Sequence, residues 1–294
     1  MALFWRFLKG EIYKIFHSRF FLIVAAVWIV LVILDGCLAY RTYAGNLRLT
    51  LDTIPTGQDG TFQDYPFLQI YSLYNSWIGA RVNQPIPLIF FYTMPVYTVI
   101  PYSWSYLSEK RSGYRLTVIA KLGRLPYYLG KYISAFLSGV CTALIPLLVS
   151  FTFVACLIPA YRPDVNFALY YQVQSTDLLG NLYYIHPLAA SLADMGMICL
   201  FAGCWAGVSY AVSLYVNNQF AALFAPYLVL LYLTATAEKA QVYRSYVEVS
   251  LFDYLQLSSP SGIQNAWVFL GEMAFLLIAP LLAACLRGVQ NDVL

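Results

Sequence analysis

Apolar residues fall along this chain in long, nearly continuous blocks separated by short polar or basic stretches, without the alternation of a half-buried strand. A helix needs roughly 20 such residues to cross the hydrocarbon of a bilayer. Six blocks reach that scale, at about 20–40, 86–106, 131–158, 189–215, 219–236 and 266–286, the fifth short and interrupted by Pro226. Residues 67–79 are also apolar, but they are short and broken by Gln69, Ser72 and Asn75, and they read as an interfacial or re-entrant segment. Pro87, Pro95 and Pro101 predict kinks in the second block.

Two segments follow a different pattern. In residues 2–18, Leu3, Phe7, Ile12, Ile15 and Phe16 recur at helical spacing, with Arg6, Lys9, Glu11 and Lys14 elsewhere around the helix. That is a basic amphipathic helix lying in the membrane interface. Between the second and third blocks, the spacing predicts that the second helix runs on to Glu109 and Lys110 and ends or bends at Gly113. A short apolar-basic helix follows over 114–122, then a break at Leu125-Pro126, with Pro126 fitting the first turn of the next helix. The expected fold class is an all-α membrane protein. It has six transmembrane helices, a cytoplasmic interfacial helix at 1–19 and a transmembrane domain at 20–294.

Composition agrees, with 61% hydrophobic and 11% charged residues and a mean hydropathy of +0.65. Soluble domains carry about a quarter charged residues, and a water-soluble core of this length cannot hide so much apolar surface. The net charge of +3 matters less than its placement. Eleven Lys and Arg residues flank the ends of the blocks that the positive-inside rule assigns to the cytoplasm, against six on the other side. Both termini and residues 107–130 are therefore expected in the cytoplasm, with 216–219 as a tight turn on the same side. The long outer segments, about 41–85, 159–188 and 237–265, are rich in aromatics such as Tyr65, Phe67, Tyr170 and Tyr171. These suggest an interfacial belt, or alternatively a substrate vestibule.

Chemistry-bearing motifs are sparse. The chain contains no G-x-x-x-x-G-K-[ST], H-E-x-x-H or G-x-S-x-G pattern. The two histidines, His17 and His186, fall on opposite sides of the expected topology. The six cysteines lie within or at the edges of apolar blocks, so no disulfide framework or metal site is expected. Charged residues inside spans are costly and point to function by default. Asp35, Asp194 and Glu272 are the three, and they form a candidate intramembrane polar site. Gly203 and Gly207 in the fourth span permit close helix contact.

Three short segments carry a resemblance: Lys-x-Glu-x-x-Lys at Lys9, Glu11 and Lys14; Glu-Lys-Arg-x-Gly at Glu109 to Gly113; and Arg-x-x-Tyr-x-x-x-Lys at Arg124, Tyr127 and Lys131. In these and in its layout, the chain resembles the type-2 ATP-binding-cassette (ABC) transporter permeases. It departs from their usual Gly-Thr in having Tyr114 after Gly113, with Thr117 three residues on. The resemblance implies a membrane subunit of a plasma-membrane exporter, built as a permease dimer (two copies or a sister subunit) on separate ATPase subunits. Glu109, Arg111, Gly113, Arg115 and Arg124 would then lie at the ATPase contact. ATP and Mg would be bound by the partner and no cofactor by this chain, which would itself be no enzyme. The other expected partner is the lipid bilayer, and no nucleic acid is expected. An amphipathic peptide, antibiotic or lipid-like molecule is the expected cargo. The alternatives are a non-transporting immunity or sensor protein that binds a peptide, and a secondary transporter.

Overall fold

The structure, a computed structural model, describes residues 2–53, 70–81, 84–171, 173–175, 177–244, 250–257 and 264–289. These residues are helical or irregular, with no strand among them. Six helical stretches are long and apolar enough to cross a membrane, as in a multi-pass membrane protein. Helix α1 (Ala2–Phe16) precedes α2 (Arg19–Thr53). A four-residue turn of helix, α3 (Leu73–Ser76), comes before the second span.

That span is two helices, α4 (Pro85–Tyr97) and α5 (Ile100–Arg111). The expected kink is a full break, because proline removes backbone donors. Pro95 lies inside α4 and Pro101 in the first turn of α5, while the Thr98 hydroxyl donates to the Met94 carbonyl at 2.7 Å. The chain continues with α6 (Tyr114–Leu122) and α7 (Arg124–Ala155). Two short helices follow, α8 (Ala168–Tyr171) and α9 (Gly180–Ile185), and then α10 (Pro187–Tyr215), α11 (Gln219–Arg244), α12 (Leu251–Tyr254) and α13 (Ala266–Val289).

Several boundaries differ from the hydropathy reading for one reason: apolar composition marks where lipid lies, not where a helix stops. Helix α2 runs to Thr53, thirteen residues past the expected end of its span, and at 1.5 Å per residue it is about 52 Å long. Helix α11 likewise continues beyond 236 to Arg244. The third helix begins at Arg124 rather than 131. Its break from α6 falls at Gly123, whose φ of +88° an L-residue rarely adopts, and not at Leu125-Pro126.

Helix α7 is the hub, packing on α10, α2, α13 and α1. The α7–α10 seam is close because small residues line it. A Cβ on Gly139 would run into the Ala202 carbonyl oxygen, and Gly203 lies against Phe136 and Val140. The main core joins Trp28, Phe90, Phe91, Met94, Leu147, Phe201 and Trp205 from four spans. Outward-facing residues such as Leu22, Val27, Leu228 and Phe275 stay exposed, as lipid-facing positions require.

The end of the bundle opposite the termini is closed by packed loops. Ser72 and Asn75, which interrupt the apolar run at 67–79, form the capping box of α3. The following turn buries Trp77 and Ile78 against α7, the Ile78 amide donating to Ser150 Oγ at 3.0 Å. Tyr171, Tyr183 and Tyr184 are buried together, with ring centroids 5.3 to 6.4 Å apart. These three tyrosines are the core of a cap rather than an interfacial belt. Tyr65 and Phe67, and the side chain of Tyr170, lie outside the described residues.

The α7–α10 seam yields a prediction. Gly139→Val should overpack it and lower stability by about 1–3 kcal/mol. Gly196→Ala, where an added methyl meets nothing within 4 Å, should be neutral or slightly stabilising. Thermal unfolding of the purified chain in detergent distinguishes them, and equal transitions would mean that the seam is loose.

Candidate functional site

Lys131, in the third turn of α7, is completely buried, and its ammonium is surrounded by acceptors from two other helices. Nζ lies 2.7 Å from Glu11 Oε2 of α1, 2.7 Å from Glu109 Oε1 of α5 and 3.1 Å from Ser105 Oγ. Three donors meet three acceptors, which is the full capacity of an ammonium group. Lys14 completes the cluster from the rim, at 2.7 Å from Glu11 Oε1 and 3.1 Å from Glu109 Oε1. The remaining carboxylate valences are filled by phenols: Tyr102 donates to Glu11 Oε2, and Tyr127 to Glu109 Oε2 at 2.9 Å. Two acids and two bases thus form a neutral, hydrogen-bonded cluster that ties α1, α5 and α7 together. A buried charge is tolerated only when paired in this way.

The face of α1 is set by this cluster. Leu8, Glu11 and Ile15 point inward, whereas Leu3, Trp5, Tyr13 and Phe16 are exposed. Of the apolar side read from the sequence over 2–18, Ile15 is buried against the bundle while Leu3 and Phe16 stay exposed, and Glu11, placed elsewhere around the helix, is buried as well. Glu11 turns inward because its buried counter-charge, Lys131, lies inside α7. Phe7 packs on the Tyr127 ring at 5.8 Å and helps exclude water from the cluster.

Burial pushes the Glu11 carboxyl up, but the charge of Lys131 and hydrogen bonds from Lys131, Lys14 and Tyr102 outweigh it and hold the group below its ordinary value. Burial lowers Lys14, while the hydrogen bond and charge of Glu11, then Glu109, leave it raised. A depressed carboxyl adds stability that is lost as pH falls, and a raised ammonium adds stability that is lost as pH rises. The cluster is therefore at full strength between the ordinary values of the two groups, 4.5 and 10.5.

Helix α6 lies beside the cluster. It has no buried residue and is bracketed by two glycines with positive φ, Gly113 at +74° and Gly123 at +88°. Val118, Ile119 and Leu122 rest on the tyrosine-rich core formed by Tyr106, Tyr127 and Tyr128. Arg115 donates to Tyr106 Oη at 3.4 Å, and Lys14 Nζ lies 5.4 Å from the centre of the Tyr114 ring. A short helix on two glycine hinges is thus in contact with a cluster that grips three other helices.

Of the residues expected at a coupling contact, Glu109 is buried in the cluster rather than presented outward. Arg111 is exposed and donates to the Asn217 carbonyl at 3.3 Å, which places the 216–218 turn at the same end of the bundle. Gly113 is a hinge, Arg115 is half-buried against Tyr106, and Arg124 opens α7. The intramembrane acids do not form one site. Asp35 is paired with Arg81 at 3.0 Å, Asp194 is completely buried in α10, and Glu272 is half-buried on α13.

Tyr102 and Ser105 carry no motif signal. Lys131 could have been suspected as a cation at the start of an apolar run, balanced by Glu11 and Glu109 in the flanking segments. Among the described residues no group of three or more His, Cys, Asp or Glu side chains converges to hold a metal ion. Compared with protein-family models, curated proteins and solved structures, the chain matches none.

Removing the central cation tests the cluster. Lys131→Met should cost about 3–5 kcal/mol at neutral pH by leaving two buried carboxylates undercompensated. Lys14→Met, at a half-exposed position, should cost under about 1 kcal/mol. The Lys131→Met deficit should shrink on acidification, because protonation removes the uncompensated charge. Unfolding curves of both variants against pH check the magnitude and the sign.

Proposed function

We propose that this chain is the membrane-spanning permease subunit of an ATP-driven transporter of the ABC type, energised by a separate ATPase. The observation that carries the reading is the combination at one end of the bundle: an exposed short helix on two glycine hinges, resting beside an ionic cluster that joins α1, α5 and α7. A soluble partner seated on α6 would displace it as a unit, since bending is confined to Gly113 and Gly123. The displacement would reach α5 and α7 directly through the chain and α1 through Lys14, Glu11 and Tyr114. Helix α7 packs on four other helices, so movement at its end spreads through the bundle.

Supporting this, the three sequence segments that resemble type-2 permeases supply the cluster: Glu11 and Lys14 from the first, Glu109 from the second, Tyr127 and Lys131 from the third. The contact surface for the ATPase is then the outer side of α6, with exposed Ser112, Leu116 and Lys121, and with Glu109 acting behind it as a positioning residue. The direction is export, the location the plasma membrane, and the cargo an amphipathic molecule. The broken second span and the prolines within α7, α11 and α13 suit helices that bend during alternating access.

Two measurements test this reading. A single cysteine at Ser112, in a cysteine-free background, should react with an impermeant thiol reagent only after the cells are opened. Labelling in intact cells would invert the topology. The tagged chain should also co-purify with an ATPase, and Gly113→Val or Gly123→Val should reduce partner-stimulated ATP hydrolysis at least tenfold. Each variant also carries strain at positive φ, about 1–2 kcal/mol, so hydrolysis is compared at equal amounts of folded complex. Full stimulation in both variants would reduce residues 107–130 to a connector.

A further inference from the structure

Several span ends meet at one corner of the bundle, at the end that carries α6. The second span finishes at Arg111, the fourth at Tyr215 and the sixth at Arg287, and the fifth starts at Gln219. Helix α10 packs on both α5 and α13, and the 216–218 turn lies where they finish.

Cations gather at this turn on neutral partners. Lys110 Nζ donates to Asn217 Oδ1 at 2.6 Å, and Arg111 donates to the Asn217 carbonyl at 3.3 Å. The Arg287 guanidinium lies 5.8 Å from the centre of the Tyr215 ring, two residues before Asn217. Positive charges from α5 and α13 thus meet on one short stretch of chain. Glu109 is the one acid in residues 100–124, 205–224 and 275–289, and it is turned away onto Lys131 and Tyr127. Among the described residues no ion pair joins Lys110 or Arg111 to a carboxylate. A bias toward positive charge at span ends accounts for cations at this level, but not for their convergence. Like charges drawn onto an amide and a ring repel one another, and an anion seated among them removes that cost.

The level of the corner says which anion. These cations stand at the ends of their spans, where hydrocarbon gives way to headgroups. The helix surface beside them is apolar and faces outward, with Leu282 and Leu286 of α13, Tyr215 of α10 and Phe220 of α11 exposed. A phospholipid matches both halves, with a phosphate for the cations and acyl chains for the apolar faces. A free phosphate or an acidic peptide matches only the first half.

We propose that this corner is a binding site for an anionic phospholipid, its phosphate held by Lys110, Arg111 and Arg287 and its acyl chains laid along α13 and α11. The site is separate from the outer face of α6, and the inference does not rest on the transport reading. A lipid bound there ties α5 to α10 and α13, of which the Lys131 cluster reaches only α5.

The test uses the full chain in detergent, titrated with phosphatidylglycerol or with phosphatidylcholine of the same acyl chains, bound lipid being counted by native mass spectrometry. Each cation near a headgroup contributes about fivefold, so the native chain should bind one phosphatidylglycerol at least about tenfold more tightly than phosphatidylcholine. Lys110→Gln/Arg111→Gln/Arg287→Gln should erase that preference. Arg6→Gln/Lys9→Gln/Arg19→Gln, which removes as much charge from the same end of the bundle, should keep it to within about twofold. Equal uptake of the two lipids by the native chain, or an equal loss in the two triple variants, would overturn the proposal, since binding would then follow net charge. Displacement of the lipid by inorganic phosphate would overturn it too, as the mark of a soluble-anion site. So would a first triple variant that keeps lipid but loses a co-purified ATPase, which would assign the cations to an acidic protein surface. If that variant does not fold, Arg287→Gln alone carries the comparison, with a loss of about fivefold expected.

Discussion

An ammonium group with no access to water has to be satisfied wherever it lies, and much of this structure is arranged around Lys131. Its three donors require acceptors from other segments, and the two nearest acids come from α1 and α5. Pairing Lys131 with Glu11 fixes which face of α1 meets the bundle, and through it the path by which the chain enters α2. Pairing it with Glu109 draws the last turn of α5 against the start of α7, leaving the intervening α6 as an outward loop of helix. Breaking such a buried pair costs more than forming it gains, so the cluster acts as a constraint on geometry more than as a source of stability.

The two ends of the bundle are held by different physics. At one end charges are buried and paired, and the connecting helix is bracketed by Gly113 and Gly123 at positive φ. At the other end tyrosine rings and capped turns close over the helices, with Gln264 receiving the Leu178 amide at 2.9 Å and donating to the Asp253 carbonyl at 3.0 Å. Between them lies the close, small-residue seam of α7 and α10, which no ion pair among the described residues crosses.

Asp35 and Asp194 show how differently one residue type behaves inside a span. Asp35 receives the Arg81 guanidinium, which also donates to the Asp35 carbonyl at 3.0 Å, and the pair pins the turn before α4 to the side of α2. Asp194 has no such partner. The distinction depends on what the fold brings near each group and could not have been drawn from their sequence positions, both of which fall within apolar blocks.

The sequence by itself determined the spans, because the cost of placing polar groups in hydrocarbon is local and additive along the chain. It also determined the hinge at Gly113 and the helix over 114–122, since glycine and the turn-flanking pattern act within a few residues. It marked Glu11, Lys14, Glu109 and Lys131 as notable without showing that they meet. Helix ends outside the membrane, at Thr53 and Arg244, escaped composition because a helix continues in water whenever its own propensities and packing allow. The tertiary structure alone decided that Glu11 faces inward, that the tyrosines of the outer segments form a packed cap, and that Tyr102 and Ser105 complete a charge cluster. Each of these depends on a counter-charge or a surface supplied from many residues away, as across the 120 residues between Glu11 and Lys131, and no local pattern encodes that proximity.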